Sequence, residues 1–180
     1  MAERLILIGF MCSGKSTVGR RVADALDWDF VDFDEVIERR TGKRIVDVFR
    51  DHGEGFFRGL EAETTREIAD RRHVVLAPGG GWVTQPDLVD LLRADSHIVW
   101  LRVGPETVLE RHGDQAEVER PLLAVDDPLA AVLSMLSERE PLYQVADAVV
   151  ETDGREIEEI VELVLRSLGH GEPPDPAVGC

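Results

Sequence analysis

The stretch that most limits what this chain can become is Gly9 to Thr17, Gly-Phe-Met-Cys-Ser-Gly-Lys-Ser-Thr. An apolar run, Leu5-Ile6-Leu7-Ile8, precedes it, and a helical pattern from Val18 to Leu26 follows. Gly9, Gly14, Lys15 and Ser16 match the spacing G-x-x-x-x-G-K-[ST] of a phosphate-binding loop. Such a loop wraps its backbone N–H groups around a polyphosphate, and the helix N-terminus adds partial positive charge. Cys12, Ser13, Gly14, Lys15, Ser16 and Thr17 are therefore the candidate contacts to a nucleoside triphosphate. Lys15 is placed to reach the outer phosphates, and the Ser16 hydroxyl to ligate Mg²⁺. A chance Gly/Ser turn is the alternative, and the strand–loop–helix context on both sides argues against it.

The remaining apolar runs are Phe30 to Phe33, Val74 to Ala77, His97 to Leu101 and the shorter Ala148 to Val150. Helical patterns near 15–27, 34–40, 55–72, 86–94, 105–111, 127–145 and 155–168 lie between them. Alternating strands and helices predict an α/β fold, a parallel sheet covered on both faces. The length of 180 residues fits one domain, expected over 1–168, with a frayed tail over 169–180 that holds three Pro and three Gly. No apolar run approaches the roughly 20 residues needed to span a bilayer, so no membrane partner is expected. The two cysteines, Cys12 and Cys180, supply no disulfide framework, and a cytoplasmic setting is expected. A net charge of −16, with 18 Arg and only two Lys, excludes a general nucleic-acid surface. Any anion site in so acidic a chain must be built locally, from a few convergent arginines.

Candidates for such a site follow along the chain. Asp32-Phe33-Asp34 ends the second strand run, and ligands of open parallel sheets bind beyond the carboxyl ends of the strands. Asp32 could hold Mg²⁺ or its waters, and Asp34 could accept a proton or hydrogen bond from an acceptor hydroxyl; Asp34 could equally be a helix N-cap. Arg58 and Glu61 are three apart and share one helix face. They make either a surface ion pair of small worth or an arginine held by a carboxylate so that its fork meets a substrate carboxylate. Gly79-Gly80-Gly81 follows the third strand, where it is either a flexible turn or a place for close backbone approach. His112 to Ala124 reads as a lid that excludes water. Arg111 stands at its entrance and Arg120, a candidate for stabilising the transferring phosphoryl group, at its exit; a solvated loop arginine is the alternative. Arg139 is a second carboxylate ligand or simply paired with an acid, and Pro141 should kink or end its helix. His112 has no matched partner and is expected to be solvated.

Taken in order, the phosphate loop, Asp32-x-Asp34, Gly53-Glu54-x-x-Phe57-Arg58-x-x-Glu61, Gly79-Gly80-Gly81, Arg120-Pro121-Leu122-Leu123 and Arg139-x-Pro141-Leu142-Tyr143 resemble shikimate kinase from about Leu5 to Leu168. The resemblance implies a three-layer P-loop kinase fold like that of the nucleoside-monophosphate kinases, with five parallel strands, a lid over about 112–124 and a substrate-binding helical region over about 34–61. It implies transfer of the ATP γ-phosphoryl group to the 3-hydroxyl of shikimate by a monomer. Asp34 would engage the ring hydroxyls, Arg58 and Arg139 would clamp the carboxylate, and Gly80 and Gly81 would donate from backbone. Ser16 would ligate Mg²⁺ with Asp32 behind it, Lys15 and Arg120 would stabilise the phosphoryl group, and Arg111 and Arg155 would lie near adenine. Two positions depart from the pattern. Glycine is usual where Cys12 stands, and a thiol there is expected to alkylate readily and to be protected by MgATP. Trp82 is bulky and is expected to narrow the pocket and report substrate by its fluorescence. A gluconate kinase of the same fold, a nucleoside-monophosphate kinase and a non-catalytic nucleotide-binding module are the rival readings.

Overall fold

The computed structural model describes residues 2–114 and 126–169. The apolar runs form five strands: β1 (Arg4–Ile8), β2 (Asp29–Asp32), β3 (Val74–Ala77), β4 (Ser96–Arg102) and β5 (Ala148–Glu151). All pair in parallel, in the order β2-β3-β1-β4-β5. The helices are α1 (Lys15–Leu26), α2 (Phe33–Thr41), α3 (Ile45–Glu67), α4 (Pro86–Arg93), α5 (Pro105–Asp114), α6 (Pro128–Tyr143) and α7 (Ile157–Gly169), with a short 3₁₀ turn at Trp82–Thr84. No helix among the described residues is long and apolar enough to cross a membrane.

Why β1 reads as an unbroken apolar run is visible in its two faces. Leu5 and Leu7 pack with Val18 and Val22 of α1 and with Ile160 and Val164 of α7. Ile6 and Ile8 point to the other face, against Leu88 and Leu92 of α4, Trp82 and Tyr143. A strand buried on both sides cannot alternate apolar with polar. The order also makes β1 the point where the chain reverses direction across the sheet, with β3 on one side and β4 on the other. A crevice at the carboxyl ends of the strands is expected there, and the phosphate loop opens into it.

Two local boundaries differ from expectation, and Pro141 lies near the end of its helix as its chemistry requires. Phe33 is the first residue of α2 and not the last of β2; the cap is Asp32, whose Oδ1 accepts from the Asp34 N–H at 2.9 Å. The acid read as a cap at Asp34 thus lies in the first turn. Helix α3 begins ten residues before 55, at Ile45, and contains one non-helical residue, Gly53, at φ 80° and ψ 175°. Pro141 sits inside α6, whose helix ends two residues later, at Tyr143.

Candidate active site

Glycine is required at the start of the phosphate loop by space. A Cβ on Gly9 would lie 2.4 Å from the Leu101 carbonyl oxygen, and its φ is 148°. Gly14, at φ 93°, stands before α1, whose first turn carries no acid to neutralise the dipole. Lys15 Nζ donates to the Gly9 and Phe10 carbonyls at 3.0 and 2.8 Å, so its ammonium lies over the loop. Cys12 adopts φ 61°, a conformation that glycine takes at little cost and other residues rarely adopt, and nothing in the structure explains the cysteine there. Arg111 braces it by donating to the Cys12 carbonyl and to the carbonyl of buried Thr152, each at 3.0 Å.

A cavity of about 390 Å³ opens over this loop. Residues 11–18 line it, together with Asp32 and Asp34, Ala77 to Gly80, and, from the far end of the chain, Arg111, Arg155 and Ile157. The structure therefore brings together the predicted Cys12, Ser13, Gly14, Lys15, Ser16, Thr17, Asp32, Asp34, Gly80, Arg111 and Arg155. Ser16 Oγ donates to Asp32 Oδ2 at 2.5 Å. This hydroxyl–carboxylate pair at the mouth of the loop suits a hard cation that takes oxygen ligands. Among the described residues no group of three or more His, Cys, Asp or Glu could hold a metal ion.

Arg58, Gly81 and Arg139 are not part of that wall. Arg58 joins it through the glycine strip, where it packs against Gly81. Arg58 is held from two sides, by Glu61 at 2.5 Å and by Glu54 at 2.8 Å, and its side chain is 15% exposed. A surface ion pair is thereby set aside for Arg58, because Glu61 is fully buried. Burial pushes the Glu61 carboxyl up to about 7; Arg58 pulls it down, and the Asp34 charge raises it further. Burial lowers the Arg58 pKa, but the two glutamates more than offset this and hold it above its ordinary value. A Cβ on Gly79 would sit 2.4 Å from Glu61 Oε1, and one on Gly81 would sit 2.1 Å from an Arg58 nitrogen. The glycines are thus sites of close approach, as steric need and not turn flexibility would have it. The Arg139 guanidinium lies 5.4 Å from the centre of the Phe10 ring, and its charge lowers the pKa of the Tyr143 phenol.

Other expectations fare differently. Trp82 is fully buried and donates from Nε1 to Thr65 Oγ1 at 3.0 Å; it belongs to the core and does not narrow the pocket. His112 is partly buried, and its Nδ1 is enclosed with no hydrogen-bond partner among the described residues, so it is not simply solvated. Arg120, most of the segment read as a lid and the tail beyond Gly169 lie outside the described residues. Sequence reasoning missed Glu54 as the second holder of Arg58, although the i,i+4 spacing was there to see. It also passed over Tyr143, whose hydroxyl reaches the Gly80 carbonyl; no local pattern marks a contact across 63 residues.

Known proteins match this arrangement along nearly the whole chain. The family model for shikimate kinase matches residues 11–169. A shikimate kinase of Thermus thermophilus is 44% identical over 167 residues, covering 93% of this chain and 90% of that protein. One from Moorella thermoacetica is 42% identical over 175 residues, covering 93% and 99%. The solved shikimate kinase from Acinetobacter baumannii in complex with shikimate aligns with a TM-score of 0.85 at 35% identity, over 92% of each chain. With this fold, this phosphate loop and these matches, the chain belongs to the shikimate kinase family.

Proposed function

We propose that this protein transfers the γ-phosphoryl group of ATP to the 3-hydroxyl of shikimate. The observation that carries the acceptor is the pair of buried contacts joining Arg58 to the glycine strip: Arg58 packs against Gly81, and its partner Glu61 packs against Gly79. Gly79 itself walls the cavity over the phosphate loop. An arginine fork is thus presented beside the nucleotide space, where it suits the carboxylate of a small hydroxy acid.

In this reading the loop amides and Lys15 hold the triphosphate, and Mg²⁺ supplies neutralisation of charge on the phosphates when bound. Ser16 and Asp32 are the residues that would hold it. Arg58 and Arg139 bind the substrate carboxylate and so fix the ring. Asp34, on the cavity wall, accepts the hydrogen bond or proton of the reacting hydroxyl. The hydroxyl oxygen forms its bond to the γ-phosphorus as the bond to the ADP oxygen breaks. Such transfer asks for positioning and charge stabilisation and little covalent chemistry from the protein. Arg120 is assigned to the transferring group and Arg155 to the adenine end. Arg111 serves the same end through the Cys12 and Thr152 carbonyls. The reading takes the protein as a cytoplasmic monomer, although Leu129 and Leu133, one turn apart on α6, are 40% and 49% exposed. Sedimentation at several concentrations checks the monomer.

A coupled assay of ADP release with shikimate, gluconate and a nucleoside monophosphate tests the proposal. Turnover with shikimate alone is expected. Turnover with gluconate, or ATP binding without turnover on any acceptor, contradicts it.

A further inference from the structure

Tyr143 is the last residue of α6 and lies one turn beyond Arg139, on the same helix face. Its side chain is fully buried, with its ring centre 5.4 Å from that of Trp100. A phenylalanine would fill this apolar site without the cost of burying a hydroxyl. The hydroxyl is nonetheless there, and it donates to the Gly80 carbonyl at 2.6 Å. Arg139, one turn back, lies close enough for its charge to lower the pKa of the same phenol.

Gly80 is where the two halves of the site touch. A Cβ there would lie 3.2 Å from the Gly9 carbonyl oxygen of the phosphate loop. The next residue, Gly81, lies against the Arg58 guanidinium. The described residues contain no cis peptide bond, so the Gly81 N–H points opposite to the Gly80 carbonyl. Fixing that carbonyl on Tyr143 therefore also fixes the direction of the Gly81 N–H. Burial raises the phenol pKa to about 12, while Arg139 and then Arg58 pull it down, so the group is a neutral donor at ordinary pH.

We propose that Tyr143 is a positioning residue whose single hydroxyl sets Arg139, the Gly80–Gly81 peptide and, through Gly81, Arg58 in one substrate-ready geometry. The inference rests on the shikimate reading above. Tyr143 touches neither substrate; it acts through the groups that do.

The test is Tyr143→Phe, which keeps the ring, assayed beside wild type with ATP and shikimate varied in turn. The KM for shikimate should rise about tenfold. The KM for ATP and kcat should stay within about twofold, because the phosphate loop is not held by this hydroxyl. Calorimetry with shikimate alone should show the same weakening. A shikimate KM within about twofold of wild type, an equal rise in both KM values, or a fall in kcat alone overturns the proposal. A second readout needs no variant: the Gly81 amide resonance of the wild type should shift on adding shikimate, and a Gly81 amide unmoved at saturation overturns it. If wild type turns over no shikimate at all, the acceptor reading fails and this proposal falls with it, an outcome distinct from an active wild type with a silent Tyr143→Phe.

Discussion

Arg58 is oriented before any substrate arrives. Glu54 and Glu61 occupy two edges of its guanidinium, and Gly81 leaves room for it. Charged hydrogen bonds of this kind contribute about 1.5–3 kcal/mol each. Arg58→Ala should therefore raise the KM for shikimate by about 100-fold or more and leave ATP affinity unchanged. Steady-state kinetics with a separate ATP-analogue titration checks this, and a wild-type KM would remove Arg58 from the clamp. Glu61 carries a second prediction. Its folded pKa is raised, from 4.5 to about 7, so the folded state keeps a proton that the unfolded state has lost. Its contribution to stability is present below about pH 4.5 and is lost as pH rises to about 7. Wild type should thus lose stability relative to Glu61→Gln across that window, by on the order of 3 kcal/mol, and lose no more above it. Urea unfolding of both proteins from about pH 5 to about pH 8 reads the difference. Parallel profiles would mean that Glu61 is ionised throughout.

At the scale of elements, α3 is two helices joined at Gly53. Its φ and ψ, 80° and 175°, lie where only glycine rests without strain. Gly53→Ala should cost about 1–3 kcal/mol, measured by thermal or urea unfolding; an unchanged stability would mean that the two halves can fuse. The same element shows what sequence could and could not reveal. The half after Gly53 was legible from its apolar spacing, with Phe57, Leu60 and Thr64 buried on one face. The half before it was not. Ile45 to His52 alternates charge with apolar residues, and the glycine reads as a loop. The central strands β1 and β3 were legible because burial on both faces leaves continuous apolar runs. The cap alternative at Asp34 falls away because Asp32 caps α2; both acids are good caps, and only the backbone path decides between them. Of the candidate site, the residues that converge on the cavity were legible by chemistry: a lysine and serine in a glycine-rich turn, and two acids at a strand end. The contacts of Trp82 and Tyr143 were not, since they depend on which distant element each ring meets.

At the scale of the whole molecule, the sheet order does the assembling. The phosphate loop, Asp32-x-Asp34 and the glycine strip follow β1, β2 and β3, which are neighbours in the sheet. Arg58 comes from α3 and packs against the strip, and Arg139 comes from α6 and lies over the Phe10 ring of the phosphate loop. The chain is acidic overall, at −16, yet gathers Lys15, Arg58, Arg111 and Arg139 around this one region. Two anions, a triphosphate and a carboxylate, are the ligands such a gathering suits. The direct test of that account is ³¹P NMR of the purified protein with ATP, Mg²⁺ and shikimate. The account predicts one new phosphomonoester resonance, coupled to the ring proton at the 3-position and matched by ADP. ADP with inorganic phosphate and no ester, or an ester at another hydroxyl, would contradict it.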